Sequence, residues 1–591
     1  MSKKNISYSL VILAIFIFNN VLLAQKIAVP ITSYGTWDRG GGIDDYSDPK
    51  ADFVMGIEVS AKWAEVQSKG PGKYDFSMFQ EVLDNATKYH KIVKISINVG
   101  PDAPMWLYEN GVPLVKVTSD KPEKHDKKFA NYPFYINEAH KQYYFELIKQ
   151  FSLFLRNQPK NKFESIAFVQ VKTGATGDES PYKGDPNNQE YKISKKQWED
   201  FRLESFTQFK KYFNDVNDNQ IVLIFNGVDE EKQPEAHAWV MNTIDPKIGF
   251  GIKGGAYNRG HHLSNEKSFK KKWMPFLVNP KGMKLFSASE MDASWNKPIF
   301  EINKEIGFYW AAISGVNTGV SSTNMQKGAI EYGYDHKEIA DIFRMFNKYA
   351  QQVYPTTATT AVSIFHEGLD AADVVKFPES EFGVAKQSNL DRYVKICKAY
   401  EPRGAKMDDV KSANLNQVNQ RYSQEGYNDA GWEIEDGNYE RFLTQINPNE
   451  TSIGLFRVRG TIDEKSSKYD RFARSFENAT GKNTMFFKFD DEMFANSKPQ
   501  SLKFMITWLD KNAGSTWSLK YTKGKDIKTA IEVKGKGDNQ WKSVTVNVAD
   551  MLLDHSGKLG SDFVLVNTDS VDDIFNGIEV TIQRKKINTL N

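Results

Sequence analysis

Three acids stand where this chain could do acid–base chemistry. Asp178 and Glu179 follow the run Ser165-Ile-Ala-Phe-Val-Gln-Val-Lys-Thr-Gly-Ala-Thr-Gly, and Glu290 closes the run Met283-Lys-Leu-Phe-Ser-Ala-Ser. The first run begins as an apolar stretch rich in branched and aromatic residues, the pattern of a strand buried on both faces. The turn between it and Asp178 carries Gly174 and Gly177, which permit a sharp bend of the backbone. Carboxylates at the C-terminal mouth of parallel strands can flank a scissile bond. One protonates the leaving oxygen, and the other attacks the anomeric carbon or activates a water. The pair works only if their surroundings push the two pKa values apart.

These acids need a scaffold, and the chain supplies strand patterns in series. Lys26–Tyr34 reads as a first strand ending at the loop Trp37-Asp-Arg-Gly-Gly-Gly, which lacks phosphate-binding spacing. Phe53–Ser60, Ile92–Val99, the run from Ser165, Gln220–Asn226, Ile248–Lys253 and Met283–Glu290 follow as strands two to seven. Ile306–Ser314 is the eighth or the helix leading to it, with Gly315–Val320 an equally good strand. Helical patterns fall at 72–89, Ile136–Arg156, Trp198–Phe213 and Lys337–Tyr354. Strands alternating with helices predict an α/β fold, one closed (β/α)₈ TIM barrel. An open doubly wound sheet is the rival, and no dinucleotide fingerprint supports it.

Beyond the barrel the pattern changes. Leu390–Tyr400 is amphipathic and Met407–Gly426 is polar, a linker. Short alternating strands then recur: Ser452–Arg459, Thr484–Phe489, Leu502–Trp508, Trp541–Asn547, Phe563–Val566 and Gly577–Gln583. Turn residues separate them at sandwich spacing. The expected organisation is a signal peptide over 1–24, the barrel over 25–355, a helical extension and linker over 356–425, and a jelly-roll-like β-sandwich over 426–591.

Composition narrows the partners. Lys and Arg total 77 against 75 Asp and Glu, a formal charge of +2, so there is no excess field to hold nucleic acid. The single cysteine, Cys397, rules out internal disulfides and cysteine metal clusters. Aromatics make up 13% of the chain, a surplus suited to stacking on the apolar faces of sugars. Lys3 and Lys4 precede an apolar run from Tyr8 to Leu23, closing at Leu23-Ala24. That is a secretory signal, and the alternative of a retained anchor is weakened by Asn19-Asn20 inside a run short for a span. No cysteine near the cut would carry a bacterial lipoprotein anchor. A secreted or periplasmic protein is expected.

Strand two with Trp63, then Gly72-Lys-Tyr-Asp-Phe, then strand three ending Ala103-Pro-Met-Trp, resembles the opening of the clan A glycoside hydrolases. It is most similar to the β-galactosidases of family 42 and the agarases and porphyranases of family 86, over about residues 26–325. The resemblance implies net retention, with Glu179 as acid/base after strand four and Glu290 as nucleophile after strand seven. That clan usually carries Asn directly before the acid/base Glu, to bind the sugar 2-hydroxyl, and this chain has Asp178. Either Asp178 substitutes as acceptor or it is itself the acid. Trp63, Trp106, Trp295 and Tyr257 follow strand ends, where they would line sugar subsites or pack in the core, and Asn98 and Asn226 would bind hydroxyls. Arg259, His261 and His262 form a cationic group suited to sulfate. The histidines lack an acid at ligand spacing, so no metal site and no cofactor is expected.

The expected activity is therefore retaining cleavage of β-glycosidic bonds in a polysaccharide or its oligomers, a galactan of the agar, porphyran or carrageenan type, sulfated or not. A hydrolase of another β-linked glycan, or a non-catalytic glycan-binding barrel, stands as alternative. Trp508, Trp517, Trp541 and the run Tyr469-Asp-Arg-Phe-Ala-Arg read as exposed in the terminal domain, which is either a binding module or a brace.

Overall fold

Eight parallel strands pair in chain order and close on themselves: Gly35–Arg39 (β1), Gly56–Lys62 (β2), Ile92–Asn98 (β3), Ile166–Gln170 (β4), Leu223–Asn226 (β5), Phe250–Lys253 (β6), Leu285–Glu290 (β7) and Ser322–Gln326 (β8). β8 returns to β1 in register, Gly35 beside Ser322 through Arg39 beside Gln326. This is the expected TIM barrel. The computed structural model describes residues 29–40, 47–118, 131–175, 180–228, 230–254, 266–271, 285–291, 295, 298–407, 428–494, 500–524 and 526–584. The signal segment and nearly all of the linker lie outside the described residues, as do Asp178, Glu179, Tyr257, Arg259, His261 and His262.

Helices Ser77–Lys88 (α1), Glu138–Arg156 (α2), Lys195–Phe213 (α3) and Pro234–Thr243 (α4) cover the barrel between the strands. Two of their starts carry side-chain caps. Asn137 accepts from the His140 amide ahead of α2, and Ser194 and Gln197 form a reciprocal capping box ahead of α3. Lys304–Thr318 (α5) leads to β8, with Lys327–Asp335 (α6) and Lys337–Ala350 (α7) after it.

Two strand expectations are corrected. The first strand is Gly35–Arg39, not Lys26–Tyr34; Ile31–Ser33 make a short 3₁₀ turn instead. Trp37 and Arg39 therefore belong to the barrel rather than to a loop. Gly56 on β2 makes this possible, because a Cβ there would stand 2.5 Å from the Trp37 ring. The eighth strand is Ser322–Gln326, neither Ile306–Ser314 nor Gly315–Val320. Ile306–Thr318 belongs instead to α5, which Gly319 ends in the left-handed conformation and whose residues from Ile306 to Thr318 are all buried. A helix enclosed on every side loses the apolar stripe that would distinguish it from a buried strand.

The remainder is antiparallel. Thr360–Ile364 (β9), Tyr439–Arg441 (β10), Leu443–Ile446 (β11), Ile453–Phe456 (β12), Phe472–Ser475 (β13), Thr484–Phe489 (β14), Gln500–Asp510 (β15), Thr516–Lys523 (β16), Asp526–Lys534 (β17), Gln540–Met551 (β18), Phe563–Asn567 (β19) and Ile574–Ile582 (β20) build two sheets. One orders β10-β9-β20-β13-β12, with β15 also beside β20 and β18 beside β15, and the other orders β11-β14-β19-β16-β17. Phe487, Phe504, Phe563, Trp508 and Trp517 fill the space between them. This is the expected sandwich, with one addition: β9 comes from the stretch read as a helical extension, and it pairs with both β10 and β20.

Barrel and sandwich share one hydrophobic core that runs from Trp37 through Trp310 on α5 to Tyr439 and Phe472. Trp310 packs 4.9 Å from the Phe472 ring and donates its indole N–H to the Lys468 carbonyl at 3.0 Å. Two of the aromatics expected to be exposed, Trp508 and Trp517, are buried, at 3% and 0% exposure. Trp541 donates to Asp470 and packs on Tyr469, and Arg474 is fully buried among carbonyls and the Glu367 carboxylate. Inter-sheet and inter-domain packing consumes these rings.

Candidate active site in the barrel mouth

Alternation along parallel strands decides which side chains enter the barrel. Trp37 on β1, Phe168 on β4 and Phe286 on β7 meet across the interior, with Phe168 and Phe286 ring centres 4.5 Å apart. They plug the end nearer the strand N-termini. Two residues further on, the same alternation brings in Arg39, Gln170 and Ala288, and a further step on β7 brings in Glu290. Glu58, Lys94, Lys253 and Asn324 enter the barrel above the plug from β2, β3, β6 and β8. The usual filling of this interior is bulky and branched. Here it is ionic.

Glu58 is the hub. Its carboxylate lies 2.6 Å from Lys94 Nζ and 3.6 Å from Lys253 Nζ, and it accepts from the Asn324 amide. Burial would raise the Glu58 pKa, but Lys253, Lys94 and Lys172 outweigh it and hold the carboxyl ionised, well below its ordinary range. Lys94 also donates to Gln170 at 3.0 Å. Its burial, with Lys253 and Lys172 nearby, overcomes the attraction of Glu58 and pushes its pKa down to about 7.

Glu290 ends β7 at the rim and is 28% exposed. Its carboxylate is 3.3 Å from Lys253 Nζ and 3.6 Å from the Arg39 guanidinium. Burial raises its pKa and Glu58 adds to that, yet Lys253 and Arg39 prevail, and the carboxyl stays below its ordinary value. Lys253 loses stability to burial but gains more from Glu58 and Glu290, so it remains charged. The arrangement yields an ionised carboxylate, oriented by two cations, at the open end of the barrel. An anionic oxygen so held can act as a nucleophile or as the base for a water.

Other expected site residues divide into two groups. Asn98 ends β3 on the same face as Lys94 and Ser96 and is partly exposed, and Asn226 ends β5 in register with Lys253. Both enter the barrel mouth. Trp295 follows β7, half-buried, with Lys304 Nζ 5.1 Å over its ring and Tyr332 beside it. Trp63 and Trp106 are corrected: core packing takes both rings. Trp63 is fully buried between Trp106, His140 and Tyr144 and donates to Gln67, and Trp106 donates to the Gln67 carbonyl.

Sequence reasoning missed Arg39, Glu58, Lys94 and Lys253. The signal was present in two of them. Glu58 with Ser60, and Lys94 with Ser96 and Asn98, are polar residues at a spacing of two inside otherwise apolar runs read as strands. A charge at such a position must find a partner across the barrel. Arg39 was hidden by the misplaced first strand.

No protein-family model matches this chain, and no curated protein does. Among solved structures, a trimodular endoglucanase of glycoside hydrolase family 5, subfamily 4, aligns over 55% of this chain and 62% of its own, at 10% identity and a TM-score of 0.38. The tri-modular endo-β-1,4-glucanase B of Bacillus halodurans aligns over 54% and 61%, at 11% identity and 0.37. The catalytic domain of β-amylase from Paenibacillus polymyxa aligns over 50% and 92%, at 10% identity and 0.35. This chain therefore spans less than two thirds of the first two structures it matches. At these scores the barrel rests on its own strand pairing, and the chemistry rests on Glu290 and its neighbours.

Proposed function

We propose that the chain is a retaining glycoside hydrolase that cleaves β-linked polysaccharide or its oligomers, with Glu290 as nucleophile and Glu179 as acid/base. One observation carries the reading: a rim carboxylate on β7 is kept ionised by Lys253 and Arg39, at the end of the barrel where catalytic groups gather. Glu179 enters from the sequence alone, nine residues past the end of β4. The residue roles, the likeness to families 42 and 86, and a galactan of the agar, porphyran or carrageenan type, sulfated or not, all belong to this proposal. So does export to the periplasm or medium, which the N-terminal run supports.

In this mechanism a Glu290 oxygen attacks the anomeric carbon as the acid protonates the leaving oxygen. Water, deprotonated by the same group, then releases the sugar. Glu179→Ala tests the division of roles. On a dinitrophenyl β-glycoside, whose leaving group needs no proton, the glycosyl-enzyme should still form, and added azide should turn it over to the β-glycosyl azide. On natural substrate the loss should be at least about 10²–10⁴-fold. Azide rescue of Asp178→Ala instead would move the assignment by one residue. If neither variant slows hydrolysis tenfold, the catalytic reading of the whole stretch after β4 fails.

A further inference from the structure

The ionic layer beneath Glu290 is larger than one nucleophile needs. Among the described residues, Arg39, Lys94, Lys172 and Lys253 act on the two carboxylates Glu58 and Glu290 in the barrel interior. Asn324 from β8 donates to Glu58, Gln170 from β4 accepts from Lys94, and Asn226 from β5 lies in register with Lys253. Glu58, Lys94 and Lys253 are 6%, 2% and 8% exposed, so water cannot compensate a change of charge among them. Lys253 Nζ stands between the two acids, 3.3 Å from Glu290 and 3.6 Å from Glu58.

We infer that Glu58 and Lys253 are positioning residues that form a charge-compensating pair for Glu290: Lys253 holds the Glu290 carboxylate in the free enzyme and passes to Glu58 when Glu290 becomes an ester. The inference rests on the retaining reading above. In the first step the Glu290 oxygen donates an electron pair to the anomeric carbon. The bond to the leaving oxygen breaks with its electrons, and that oxygen takes the acid's proton. Glu290 is then neutral, and Lys253 has lost one of its two anions. A shift of a few tenths of an ångström closes its contact with Glu58, which is already anchored by Lys94 and Asn324. When water attacks, the ester electrons return to Glu290 and Lys253 returns with them. Glu58 thus limits how tightly Lys253 holds the nucleophile before attack and keeps the cation partnered afterwards.

The two residues must therefore act on Glu290 in opposite senses. Lys253→Met should raise the protonation midpoint of Glu290 by roughly one unit or more, because a cation within about 4–6 Å is lost. Glu58→Gln should lower it, because a neighbouring anion is lost. Both are read without substrate: the full-length protein is modified with a water-soluble carbodiimide and an amine across acid pH, and labelling of the Glu290 peptide is followed by mass spectrometry. Should Glu58→Gln not fold, Glu58→Asp keeps the buried charge but withdraws it from Lys253 and Glu290, and it should lower the midpoint by a smaller amount. Opposite shifts support the pair. Shifts in one direction, or none, overturn it, as a purely structural role for Glu58 would leave the Glu290 midpoint in place. In turnover of a dinitrophenyl β-glycoside, Glu58→Gln should slow formation of the glycosyl-enzyme while its hydrolysis is unchanged or faster; equal slowing of both steps overturns the exchange. Failure of the hydrolase reading is distinct: wild type would then form no glycosyl-enzyme at all.

Discussion

At the scale of single residues, Glu290 shows how position and surroundings separate. Its place after a strand-like run was legible from sequence, because an apolar stretch ending in an acid marks a strand end. Its charge state was not, since the cations that set it come from β1 and β6, more than thirty residues away in either case. The account predicts a low acid limb. Glu290 must be ionised to attack, and its folded pKa lies below the ordinary 4.5, so kcat/KM should hold through that value and fall only at lower pH. An acid limb at or above 4.5, measured on wild type, would contradict the role of Lys253 and Arg39.

Among elements, α5 bears the most. Its uniform apolar run, Ile306-Gly-Phe-Tyr-Trp-Ala-Ala-Ile, has no readable period because it packs on the barrel on one side and the sandwich on the other. That is why sequence left helix and strand open there, while the half-exposed α1 and α2 were readable. β8 was missed for the converse reason: Ser322-Thr-Asn-Met-Gln is polar, since its inward residues meet an ionic interior. At the α5 seam Glu266 is buried and accepts from Ser314 on α5 at 2.9 Å, from the Glu435 amide at 3.0 Å and from the Tyr439 hydroxyl on β10. Burial outweighs these donors and raises its pKa from 4.5 to about 7. A raised folded pKa stabilises fully below the unfolded value and loses that contribution as pH climbs through the folded one. Denaturant unfolding should therefore show stability falling between about pH 4.5 and 7 by up to about 3 kcal/mol. Glu266→Gln should flatten that slope, and an unchanged slope would remove Glu266 as its source.

For the whole molecule, the sandwich is tied to the barrel helices α5 and α7, and the account predicts that it braces them. Asn303 at the α5 cap donates to the Asp463 and Ser466 carbonyls, and Tyr309 donates to Asn576. On α7, Lys348 and Tyr349 both reach Glu579 of β20. Deleting residues from 432 onward would strip β9 of both neighbours and uncover Trp310 and Tyr309. The truncated chain should aggregate or unfold, as judged by gel filtration and circular dichroism. A folded, monomeric barrel that still cleaves short oligomers would instead make the sandwich a dispensable module. The order of the two domains was readable from the change of period along the chain. Their shared seam was not, because the residues that form it sit hundreds of positions apart.

The central claim is that Glu290 attacks carbon directly, and the configuration of the first product tests it most directly. The purified protein would be given a panel of algal and plant polysaccharides, and the reducing ends released from the one it cleaves would be followed by proton NMR before they mutarotate. The account predicts that the β-anomer appears first and the α-anomer grows in later. An α-anomer formed first would mean that Glu290 activates a water instead, and no release from any member of the panel would contradict the hydrolase itself.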